Sequence, residues 1–126
     1  MTLSRTGPRT VASDAGFEIE EHFPYYLEYR EGARMFRISA EMSTAPGTSI
    51  LLFYDAADSR WQPPHRDDPL DNVTVRTILV RVIAAMQFLR IRADWQTLPP
   101  DAERDDWEAI ESEARTLSRQ RTSAPG

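Results

Sequence analysis

The 126-residue sequence contains no cysteine. Disulfides, thiolate metal sites and cysteine nucleophiles are therefore excluded. Lysine is absent as well: all 15 basic residues are arginine, which reads as the codon usage of a GC-rich genome rather than as chemistry. Imidazole is scarce, with only His22 and His65. The five glycines are scattered, so no GxGxxG or Walker loop can cradle a phosphate, and no GxSxG elbow presents a serine nucleophile. No apolar run approaches the roughly 18 residues that span a bilayer. Met1 to Ala15 carries Arg5 and Arg9 but no apolar stretch, so a secretory leader is not expected. The expected location is the cytoplasm.

What is present is acid. The formal net charge is −5, which disfavours direct nucleic-acid or anionic-membrane binding and suits a basic partner. The length points to one domain, large enough to bury about two thirds of the unfolded chain's surface.

The first half reads as strands. Phe17 and Ile19 alternate with Glu18, Glu20 and His22. Tyr25, Leu27 and Tyr29 share a face of the next segment, and Glu31-Gly32 is a turn signal. Phe36, Ile38 and Ala40 alternate again, and Ile50 to Tyr54 is short, continuous and apolar. Ala56 to Asp71, with Pro63, Pro64 and Pro69, reads as a long loop. From Val73 to Leu89, apolar residues recur at spacings of three and four, which predicts a helix capped by Asp71 or Asn72. Arg90 to Trp95 suits a closing strand. A second helix over 101–118 has a thin stripe, Trp107, Ile110, Ala114 and Leu117, and is expected to dock weakly at the periphery or fray.

The expected fold is α+β: a mainly antiparallel sheet of about five strands with one long helix packed on a face, plus the C-terminal helix. Residues 1–15 are expected as a disordered tail, 16–118 as a single α+β domain, and 119–126 as a second disordered tail.

His65 with Asp67 and Asp68 offers metal ligands or an acid–base pair, or else a solvated turn before the helix. No carboxylate pair stands out as catalytic. Residues 16–60 carry eight acids against four arginines. Those on the face opposite Phe17, Ile19, Leu27 and Ile38 form either a solubilising surface or a docking face for a basic protein. The residues nominated for contact are Glu18, Glu20, Tyr26, Glu28, Glu31, Asp55, Asp58, Arg60, Trp61, His65, Asp67 and Asp68. Trp61 has two readings, a lid over the open end of the sheet or an exposed anchor for a partner.

Several tracts then carry a resemblance. Tyr26-x-x-Tyr29-x-Glu31-Gly32 is followed by Phe36-Arg37-Ile38-Ser39-Ala40-Glu41, and then by Leu52-Phe53-Tyr54-Asp55 and Arg60-Trp61-x-Pro63-Pro64. An apolar helix from Ile78-Leu79 through Phe88 and a strand to Trp95 complete the order. From Gly16 to Trp95 the chain resembles small immunity proteins of bacterial polymorphic-toxin systems, including contact-dependent growth inhibition. The resemblance implies an α+β fold, no catalysis and no cofactor. It implies a protein that binds a cognate toxin domain in the cytosol, expected to be a basic nuclease, and occludes its active site or substrate path. The other readings are a non-catalytic interaction or regulatory module, and a small metal-dependent hydrolase using the His65 loop.

Overall fold

The computed structural model describes residues 2–22, 25–44, 46–55, 60–98 and 104–119. The elements in chain order are β1 (Leu3–Gly7), β2 (Thr10–Ser13), β3 (Phe17–His22), β4 (Tyr26–Glu31), β5 (Arg34–Met42), β6 (Ile50–Asp55), α1 (Asn72–Phe88), β7 (Ala93–Leu98) and α2 (Arg104–Ser118). The strands form a single seven-stranded sheet in sequence order, curled as a half-barrel.

From β1 to β6 every neighbour is antiparallel. β7 then joins β6 in parallel, with Ile50 opposite Ala93. A parallel neighbour requires a crossover, and the loop after β6 together with α1 supplies it. The β4–β5 hairpin closes on Gly32 and Ala33 between the paired Glu31 and Arg34. Gly32 takes φ +62° there, a value that favours glycine.

The expected sheet of about five mainly antiparallel strands is corrected to a mixed sheet of seven. Residues 1–15, expected as a disordered tail, hold β1 and β2. Each of these short strands buries one large apolar side chain, Leu3 and Val11, both fully. One inward residue per strand is too little to register as a period, yet Val11 sits opposite Ile19 and extends the core row of β3. The closing strand lies at Ala93–Leu98 rather than 90–95.

The second correction concerns the helices. α1 is buried almost all round, with Val75, Ile78, Leu79, Val80 and every residue from Val82 to Met86 in the core. The sheet covers one side and α2 another. Asp71 caps α1, its Oδ1 accepting from the Thr74 N–H at 2.8 Å. α2 is no weakly docked appendage: Trp107 is 1 % exposed, with Ile110 and Ala114 buried beside it. Arg76–Glu113 and Ser118–Gln87 contacts tie it to α1 at 2.6 and 3.0 Å. Residues 101–103, where the helix was expected to begin, and 120–126 of the expected C-terminal tail lie outside the described residues. Among the described residues no helix is long and apolar enough to cross a membrane.

Candidate functional site

Strand parity divides the polar residues of β3 to β5 between two faces. Phe17, Ile19, Leu27, Tyr29, Phe36, Ile38 and Ala40 point to the helices and are buried. Glu18, Glu20, His22, Tyr26, Glu28, Arg30 and Arg37 alternate with them and take the other face.

Register brings these side chains together. Glu18 pairs with Arg30, Glu20 with Glu28 and His22 with Tyr26, while Glu28 also lies opposite Arg37. Arg30 is the hub. Its Nη2 lies 2.7 Å from Glu18 Oε1 and 2.8 Å from Glu20 Oε2. Its Nη1 is 3.6 Å from Glu28 Oε1, and Arg37 Nε is 3.6 Å from Glu28 Oε2. Both distances to Glu28 are those of ion pairs, too long for strong hydrogen bonds. Arg30 Nε is buried without a hydrogen-bond partner among the described residues.

The histidine and the tyrosine complete the face. His22 Nε2 lies 2.8 Å from Glu20 Oε1, without the alignment of a hydrogen bond. Its ring stacks on Tyr26 at 4.5 Å, and the Arg37 guanidinium lies 4.7 Å over that ring. Glu28 is only 7 % exposed although, among the described residues, the helices lie on the opposite face. Its neighbours shield it: two guanidinia compensate one carboxylate, which is what allows a charge to be buried in a sheet.

Of the nominated residues, Glu18, Glu20, Tyr26 and Glu28 thus converge. Glu31 does not join them, because it shares parity with Tyr29 and faces the helix side. There the Tyr29 hydroxyl donates to Glu31 Oε1 at 2.6 Å and accepts from Arg81 Nη1 at 2.7 Å. Burial, and next the bond to Glu31, push the Tyr29 phenol well above its ordinary range. Phe17 stacks on Tyr29 at 5.6 Å, and Arg81 lies 4.6 Å over the Phe17 ring.

The loop residues form a separate group. Trp61 is a lid: it is 6 % exposed and meets Phe36 edge-on at 6.4 Å. Asp68 Oδ2 accepts from Arg34 Nη2 at 2.9 Å and Nε at 3.1 Å, with His65 Nδ1 at 3.1 Å. The Arg34 bonds hold the Asp68 carboxyl below the usual aspartate range. This cluster fastens the loop to the β4–β5 turn. Arg60 and Asp67 are exposed in the same loop. Asp55 ends β6, and Asp58 lies outside the described residues. Among the described residues no group of three or more His, Asp or Glu side chains is placed to hold a metal.

Sequence reasoning missed Arg30 and Arg37 as partners of the acids. The hairpin turn at Glu31-Gly32 was the available signal, since counting back from it puts Glu28 opposite Arg37. Comparison with protein families, with curated proteins and with solved structures finds no match to this chain.

Proposed function

We propose that this chain is an immunity protein. It binds one cognate secreted toxin domain in the cytoplasm and blocks that domain's active site or substrate path. The expected partner is a basic nuclease domain, and the β3–β5 face uncovered by helices makes the contact. The observation that carries the reading is the convergence of Glu18, Glu20, Glu28 and Tyr26 on that face, held in place by Arg30 and Arg37. A network of this kind is preorganised, so little side-chain freedom remains to be lost on binding. Its aromatic and arginine content matches the composition of interface hot spots. The net charge of −5 supports attraction of a basic domain from a distance.

The test is a titration of toxic or nuclease activity of the toxin domain encoded immediately upstream. The expected result is inhibition that saturates at one equivalent. Reversal of the two rim acids, Glu18→Arg with Glu20→Arg, is expected to slow association and flatten its salt dependence. Absence of binding to that domain would refute the proposal. Unchanged association rates in the reversal variant would move the contact to another face.

A further inference from the structure

The end of the sheet where β6 and β7 begin opens onto a cleft of about 470 Å³. That volume falls in the range of small-molecule sites, roughly 300–1,000 Å³. The floor is apolar, formed by Ile83 and Met86 of α1. Arg90 and Arg92, both in the α1–β7 connection, also line the cleft. Among the described residues neither is engaged in an ion pair or a side-chain hydrogen bond.

Arg90 is held in an unfavourable backbone conformation. α1 ends with the Ile91 N–H donating to the Met86 carbonyl at 2.8 Å and the Arg90 N–H to the Gln87 carbonyl at 3.0 Å. An ending of this type places one residue in the left-handed region, and glycine is the usual occupant. Here it is Arg90, with φ +61°, the one non-glycine at positive φ among the described residues. Strain of this kind concentrates at binding and catalytic sites. Arg90, without a side-chain partner among the described residues, is one of the residues that line the cleft. Arg92 lines the same cleft from two residues on, with its Nη1 3.7 Å from where a Cβ on Gly47 would stand.

We infer that this cleft binds a small monocarboxylate with an apolar chain. The carboxylate pairs with Arg90 and Arg92, for which planar, forked guanidinia are suited. The chain lies on Ile83 and Met86. Asp94 and Glu111 also line the cleft, so its formal charge sums to zero. Two carboxylates in the lining oppose phosphates and other polyanions more strongly than they oppose a single negative charge. The inference does not rest on the reading of the β3–β5 face.

The experiment is calorimetric titration of the full chain with hexanoate, acetate, hexanamide and inorganic phosphate. Hexanoate is expected to bind. Acetate lacks the chain and hexanamide the charge, and each is expected to bind at least about tenfold more weakly. Phosphate is expected not to compete. Arg90→Gly is the decisive variant, because glycine suits the left-handed position and the fold is retained. It is expected to weaken hexanoate at least about tenfold without lowering Tm, and Arg92→Met to weaken it similarly. No hexanoate binding at millimolar concentration would overturn the inference. So would equal affinity for hexanamide, tighter binding of phosphate, or full affinity in Arg90→Gly.

Discussion

Glu20 and Glu28 face each other directly across β3 and β4. Two like charges in that position oppose strand pairing. Arg30 resolves the conflict, with Nη2 2.8 Å from Glu20 and Nη1 3.6 Å from Glu28. Removing it leaves a nearly buried Glu28 beside Glu20, with Arg37 as the remaining counter-charge. Arg30→Met is expected to cost about 2–3 kcal/mol, somewhat below the usual range for breaking a buried pair because Arg30 itself is part-exposed. Adding Glu28→Gln should return at least half of that loss. Urea unfolding of the two single variants and the double variant measures the coupling.

Tyr29 is fully buried and bridges Glu31 of its own strand to Arg81 of α1. Tyr29→Phe leaves both partners short of a bond, at a cost of about 1–2 kcal/mol near neutral pH. The sign of the pH dependence follows from burial, which raises the folded pKa above the unfolded value of about 10. The neutral phenol's contribution is complete below about pH 10 and is lost as pH climbs through the higher folded value. Wild type should therefore lose stability above about pH 10 more steeply than Tyr29→Phe. Ultraviolet titration of the folded protein should show an ionisation-resistant tyrosine that is missing from Tyr29→Phe.

How much of this was legible depended on how many residues shared each signal. α1 was readable because Val75, Ile78, Leu79, Val82, Ile83 and Met86 repeat at helical spacing, and Asp71 caps it where expected. The parity of Glu18, Glu20 and Glu28 was readable from Phe17, Ile19 and Leu27. The pairing of those acids with Arg30 and Arg37 needed the register, which no single segment contains. β1 and β2 were invisible because each buries one large residue and owes its place to the neighbouring strand. α2 misled for a similar reason: its thin stripe contains Trp107, and one fully buried indole anchors more than the periodicity suggests. The cleft draws on the 47–48 loop, α1, β7 and α2, segments far apart in the chain, so sequence pattern carried no trace of it.

Trp61 discriminates between two roles that looked alike in the sequence. As a lid, it packs edge-on against Phe36 with the Arg34 guanidinium 6.0 Å above its ring. Trp61→Ala is accordingly expected to destabilise the free protein by about 3–4 kcal/mol. Trp61→Phe keeps an aromatic edge and should cost less than about 2 kcal/mol. An exposed partner anchor would show the reverse, a near-silent Trp61→Ala in the free protein with the loss confined to binding. Chemical denaturation without any partner present separates these outcomes.

Arg90 makes the opposite trade, since its removal should strengthen the fold. A side chain in the left-handed region costs about 1–2 kcal/mol relative to glycine. Glycine's greater freedom in the unfolded chain offsets part of that gain. Arg90→Gly is expected to stabilise the protein by about 0.5–1 kcal/mol, with Arg90→Asn falling between the two. Thermal unfolding of the three proteins at one pH and salt concentration tests the order. Arg90→Ala supplies the control. It removes the guanidinium while keeping the Cβ that makes this conformation unfavourable, so it should gain little. A gain from alanine equal to that from glycine would show that the guanidinium, and not the backbone, is the source of the cost. A gain from glycine alone would place the cost in the φ +61° conformation of the helix ending, as its hydrogen bonds require.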